Sequence, residues 1–190
     1  ALAIDVLDEN ILFAGGASGG MFRSTDGGVS WTLPSLLGED ISDMEFKPNN
    51  SSYVYASARS SNGNSKFYRS INNGASWTLI SSFTDVKRTK IAVSADWPDL
   101  IDIVGVNADG GLAGLYGSIN SGLTFSQYFY TSTNCTNNLL SGRYNASGCS
   151  GQGFYDLAYA INPLNSSEIW LGGINTWKSK EHIFQGEKYG

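Results

Sequence analysis

The chain has 190 residues, 41% of them apolar, and a formal charge of −5. That is one domain, or part of a larger one, with enough aromatic surface for a sizeable core. An acidic balance with no run of Lys or Arg excludes a nucleic-acid partner, and no stretch is apolar enough to span a bilayer.

The acidic, Ser- and Asn-rich composition fits an extracellular protein, secreted or at the cell surface. Ala1 opens in mid-pattern and no signal peptide is visible, as expected of a mature or excised piece. Gly is high, 23 of 190, roughly 12% against a usual ~7%. With many aromatics and few charges, this predicts short strands joined by tight turns.

In chain order, "ALAIDV" and "NILFAGG" are short alternating or apolar runs, followed by "STDGGVSW" at 24–31. "ISDMEFKP" and "SSYVYASA" repeat the arrangement before "SINNGASW" at 70–77, and "TKIAVSA" and "LIDIVGV" before "SINSGLTF" at 118–125. The opening serines Ser24, Ser70 and Ser118 are spaced 46 and 48 residues apart. "YDLAYAINP" and "SEIWLGGINTWKS" begin a fourth copy, whose Ser179 falls 61 residues after Ser118, and the pattern then decays. The excess matches an insertion at 131–153.

Alternation with period two over four to seven residues predicts half-buried strands, and no helical stripe is present. Each unit is therefore a small antiparallel sheet of about four strands, with the length of a propeller blade. The fold class is all-β: a β-propeller or propeller segment of about four antiparallel blades. The units run over about 1–40, 41–88, 89–130 and 154–190. A blade cannot bury both its faces alone and needs neighbours.

The three octapeptides resemble Asp-box (BNR) repeats, found in the propellers of sialidases, xyloglucanase-type glycoside hydrolases, sortilin-type receptors and photosystem assembly factors. "GQGFYDLAYAINP" and "WLGGINTWKS" also resemble segments of large exported bacterial surface proteins. In the Asp-box family the motif is a structural hairpin on the rim, away from the central ligand site. The residue types fit that role. Asp26, Asn72 and Asn120 offer short acceptors for backbone N–H groups, and Ser24, Ser70 and Ser118 a hydroxyl to close the loop. Gly28, Gly74 and Gly122 tolerate positive φ. Trp31, Trp77 and Phe125 bury a ring. Two copies carry neutral Asn, which cannot act as a general base, and each box has at most one carboxylate, too few for a calcium loop. No metal or cofactor is expected.

Propellers of this family generally close with six or more blades. The chain is thus expected to join remaining blades or other chains; a four-bladed closure would need the strands near Ala1 and Lys178 to complete one blade. An open arc would bare an apolar face at each end.

Cys135 and Cys149 lie in the inserted loop. The only histidine, His182, is distant, and two cysteines are too few for a zinc site. A loop-closing disulfide is the better reading, the alternative being free thiols in a reducing compartment. Asn-x-Ser/Thr triplets begin at Asn49, Asn50, Asn134, Asn145 and Asn165.

A sialidase would need an arginine cluster, but Arg23 and Arg69 directly precede their boxes and belong to the repeat. Asp43, Asp96, Asp102, Asp109 and Asp156 show no local pairing of the kind a two-acid glycosidase uses. The insertion ends in Gly151-Gln152-Gly153, followed by Tyr155 and Asp156, an aromatic beside an acid; with Gln152 these are suited to stacking on a sugar and bonding its hydroxyls. Its alternative is a disordered decoration in which Tyr155 starts the next strand. Trp170 and Trp177 offer further rings, for a ligand or for filling the space between blades. The expected function is a non-catalytic propeller segment for adhesion, scaffolding or binding of polysaccharide or a cell-surface protein. The alternative is part of a xyloglucanase-like or sialidase-like glycoside hydrolase whose acids lie partly elsewhere.

Overall fold

The structure is a computed structural model, described over residues 1–32, 36–61, 63–179 and 187–188. His182 and the decayed copy after Ser179, as far as Gly186, lie outside the described residues. The described elements are all strands, and every sheet is an antiparallel meander in chain order.

The first sheet holds β1 (Leu2–Ile4), β2 (Leu12–Gly16) and β3 (Gly20–Ser24), with a bridge from Arg23 to Thr32. The second holds β4 (Asp40–Phe46), β5 (Val54–Arg59), β6 (Ser65–Ser70) and β7 (Thr78–Phe83). The third holds β8 (Arg88–Val93), β9 (Ile101–Val106), β10 (Leu112–Ser118) and β11 (Ser126–Tyr130). The fourth holds β12 (Ala158–Asn162), β13 (Asn165–Gly172), β14 (Thr176–Lys178) and β15 (Glu187–Lys188). β1 and β14, the strands near Ala1 and Lys178, thus lie in different sheets.

The sheets stack side by side. Their first strands line the inner edge, β1 against β4, β4 against β8 and β8 against β12. Alternation sends one face of each strand into the gap. Phe13, Met21, Met44 and Val54 fill the first gap. Tyr55, Phe67, Ile91 and Ile103 fill the second, and Val104, Leu115, Tyr159 and Leu171 the third. These three apolar layers are the source of cohesion; each fully buried large side chain contributes about 1.5–3 kcal/mol. A bulge between Ile41 and Asp43 keeps Ile41 in the first gap while aiming Asp43 at β8.

Polar clasps reinforce the stack. Arg23 Nη2 donates to Asn73 Oδ1 at 3.2 Å, and Arg69 Nη1 to the Ser121 carbonyl at 3.3 Å. Each of these arginines reaches from one sheet to the box turn of the next. In an up-and-down meander, turns between first and second strands and between third and fourth share one end. The connections between second and third strands, and between sheets, share the other. The boxes therefore occupy one end of the stack and the long connections the opposite one.

Candidate functional site

The three box turns have one hydrogen-bond scheme. The serine hydroxyl accepts from the glycine N–H at 2.8 Å in the first two copies and 3.0 Å in the third. It donates to the Asx Oδ1 at 2.8 to 2.9 Å. The same Oδ1 accepts the N–H of Ser30, Ser76 or Thr124 at 2.9 to 3.0 Å. What differs is the second Asx atom. Asp26 Oδ2 accepts from the Ser30 hydroxyl at 2.6 Å, whereas Asn72 and Asn120 donate Nδ2–H to Ser76 and Thr124 at 2.9 Å. A hydroxyl both donates and accepts, so acid and amide serve equally. Bonds from Ser30 and then Ser24 hold the Asp26 carboxyl down at about 2.

The rings sit differently. Trp77 packs edge-on to Phe13 of the first sheet, with centroids 6.2 Å apart, and Phe125 packs on Phe67 at 4.8 Å. Trp31 is partly exposed and caps its own turn, its indole N–H donating to the Gly28 carbonyl at 3.0 Å.

At the opposite end lies a cavity of about 580 Å³ between connections of the first three sheets and the end of the insertion. Ser18, Glu39, Asp40, Arg59, Ser60, Lys66, Lys87 and Phe154 line it. Arg59 Nε meets Asp40 Oδ2 at 2.7 Å. Lys66 Nζ and the Tyr68 hydroxyl meet Glu39 Oε1 at 2.6 and 2.8 Å. Burial pushes the Glu39 carboxyl up, but the bonds from Lys66 and Tyr68 outweigh it and leave the group below its ordinary value. Lys87 Nζ donates to the Gly63 carbonyl at 2.8 Å. Among its described lining residues the cavity thus carries three cations against two carboxylates, in an acidic chain, with one aromatic wall.

The insertion is ordered and packed rather than a decoration. A disulfide joins Cys135 and Cys149. Leu139, Leu140 and Ala146 are buried in the core between the third and fourth sheets. Asn138, fully buried, accepts from Leu112 N at 2.8 Å and donates to the Gly148 carbonyl at 2.7 Å. Arg88 Nη1 donates to the Gly153 and Phe154 carbonyls at 3.0 and 2.6 Å. Phe154 is thereby fixed as a cavity wall. Tyr155, beside it, is 84% exposed, and Gln152 and Asp156 are exposed too. The next strand starts at Ala158, not at Tyr155.

The other acids are dispersed. Asp43 meets Lys90 at 3.0 Å on the inner edge. Asp96 accepts from Ser166 N at 2.9 Å, tying the third sheet to the fourth. Asp102 is fully buried, and Asp109 lies in the exposed turn before β10. Burial, then the neighbouring Asp43 charge, pushes Glu45 up to about 7. Trp177 is buried, its indole donating to the Leu139 carbonyl at 2.7 Å, and Trp170 lies under Lys178 Nζ, 4.9 Å from the ring centroid. Among the described residues no three His, Cys, Asp or Glu gather as a metal-ligand group, and no helix is long and apolar enough to cross a membrane. Sequence reasoning missed Glu39, Asp40, Lys66 and Lys87. The one signal for them was phase, since each sits at a strand end remote from the boxes.

No family model and no curated protein matches the chain. Solved structures do. An ancestral GH74 enzyme superposes with a TM-score of 0.74 at 16% identity, over 100% of this chain and 24% of that one. YCF48 from Cyanidioschyzon merolae gives 0.54 at 12% identity, over 100% and 55%. A chain of the nidogen/laminin complex gives 0.56 at 14%, over 94% and 60%. The fold is of the β-propeller type, and this chain spans about a quarter of the GH74 enzyme's length. At such identities the likeness concerns fold alone.

Proposed function

We propose that this propeller segment is a non-catalytic extracellular recognition unit whose ligand, a polysaccharide, lies over the cavity beside Tyr155. One observation carries the reading: a polar cavity fed by three sheets, with the exposed Tyr155 next to its wall residue Phe154. A sugar presents hydroxyls to such charged groups and an apolar face to an aromatic ring. Both carboxylates among the described lining residues are already engaged by cations, which suits holding hydroxyls better than moving protons. The disulfide supports an oxidising, extracellular setting. The box residues, in this reading, act structurally. The test is binding to xyloglucan and other polysaccharides by affinity electrophoresis or calorimetry. Tyr155→Ala and Arg59→Ala are each expected to weaken binding about tenfold or more, while Asp26→Asn leaves it unchanged. No binding to any polysaccharide, or binding that survives both cavity-end variants, defeats the reading.

A second reading has one observation in its favour: the 0.74 match to a GH74 enzyme. In it, the chain contributes carboxylates such as Asp40 to a glycoside hydrolase cleft completed by other blades. Turnover of β-glucans by a protein carrying the whole fold, lost in Asp40→Asn, supports it; absence of turnover removes it.

A further inference from the structure

The cavity of about 580 Å³ holds more cationic hydrogen-bond donors than the acids of its described lining take up. Asp40 and Arg59 face each other across β4 and β5, and their ion pair engages only the Arg59 Nε, at 2.7 Å. Nη1 and Nη2 of Arg59 have no partner among the described residues, and the side chain is 48% exposed. Lys87 Nζ donates to the Gly63 carbonyl at 2.8 Å and forms no ion pair with any described carboxylate. An ammonium has three donors, so its charge and two of its N–H groups are left for a ligand. Lys66, by contrast, is balanced by Glu39 at 2.6 Å.

A further cation stands behind the wall. Arg88 Nη1 is occupied by the Gly153 and Phe154 carbonyls, and no described carboxylate forms an ion pair with Arg88. Burial first, and then the neighbouring Arg59 charge, hold the Arg88 guanidinium below its ordinary value. Like charges are thus gathered here. The backbone keeps them together: Ser60 N donates to the Lys87 carbonyl at 2.9 Å, and Lys87 N to the Val106 carbonyl at 2.7 Å. These bonds draw the end of β5 against the start of β8, so that Arg59 and Lys87 open on the same cavity.

We propose that the cavity takes an anionic sugar, a hexuronate residue within the polysaccharide, with its carboxylate held between Arg59 and Lys87. This rests on the polysaccharide reading above and adds the ligand's charge to it. The two carboxylate oxygens accept from the planar fork of Arg59 and from the Lys87 ammonium, as charge-assisted bonds. Ring hydroxyls of the same residue meet Ser60 and Ser61, which share the lining. The adjoining sugar lies on Tyr155. Neutral chains lack the charged contact and bind more weakly.

Calorimetric titration of the full 190-residue chain with trigalacturonate and with its fully methyl-esterified form tests this. The ester keeps the shape and removes the charge. The acid is expected to bind at least about tenfold more tightly at low salt, a margin that narrows as salt is raised. Lys87→Gln is expected to cut the preference for acid over ester about tenfold, and Lys87→Arg to retain it. Tyr155→Ala is expected to weaken both sugars and leave the preference intact. Equal binding of acid and ester, or a preference that survives in a folded Lys87→Gln chain, overturns the proposal. If a neutral xyloglucan oligosaccharide still binds in that case, the polysaccharide reading stands without it. Binding of none of these sugars overturns both. A sulfated carrageenan oligosaccharide that binds more tightly than trigalacturonate overturns the choice of carboxylate.

Discussion

At the residue scale, Asp26 shows how a site-like motif becomes a turn. Its carboxylate takes three bonds from Ser24 and Ser30 that Asn72 reproduces with one of them reversed. Asp26→Asn is therefore expected to leave the melting temperature unchanged at neutral pH. The aspartate's folded pKa is depressed to about 2, so its contribution is present above its ordinary value near 3.8 and lost as pH falls toward 2. The Asn variant should lack that acid-side loss, which thermal melts from pH 5 to pH 2 will read. Asp102 and Glu45 have the opposite sign. Burial lifts both to about 7. The folded state then binds more protons than the unfolded one. Their contribution is greatest below about pH 4 and declines as pH rises through 7. Asp102→Asn or Glu45→Gln should flatten the fall in melting temperature between pH 5 and pH 8; an unchanged slope in both contradicts the burial argument.

At the element scale, the box glycines are not equivalent although the octapeptides align. All three have positive φ, at 89°, 75° and 72°. A Cβ on Gly74 would stand 2.3 Å from Phe13 Cζ, but on Gly28 it would meet only Trp31 at 3.7 Å. Gly28→Ala should cost about 1 kcal/mol of stability from backbone strain alone, and Gly74→Ala about 3 kcal/mol, by denaturant unfolding. The sheets were legible because period-two alternation and a recurring turn are local signals. The cavity was not, since Glu39, Arg59 and Lys66 come from three strand ends that only the folded stack brings together. The insertion was half legible. Its cysteines and its aromatic end stood out, but Asn138, Leu139 and Leu140 read as one more polar loop until Trp177 and Leu112 met them. Removing the disulfide by paired Cys→Ser substitution should cost at most about 3 kcal/mol, the entropy of a loop this long, because those contacts also hold the segment.

At the scale of the whole molecule, the three apolar layers join four sheets and leave two outer faces. On the first sheet Leu2, Ile4 and Phe22 are exposed by 64%, 51% and 39%. Apolar faces of this kind are cover sites for another sheet. Self-association of the chain at high concentration is expected, and Leu2→Ser with Phe22→Ser should return it to monomer by light scattering. The opposed ends divide the labour: box turns and arginine clasps bind sheet to sheet at one end, and the polar cavity faces outward at the other. Amide hydrogen exchange, with and without saturating xyloglucan oligosaccharide, tests that division most directly. Protection is predicted around 36–40, 59–66 and 150–157, with 24–31, 70–77 and 118–125 unchanged. Protection confined to the box turns, or none in any segment, would contradict the account.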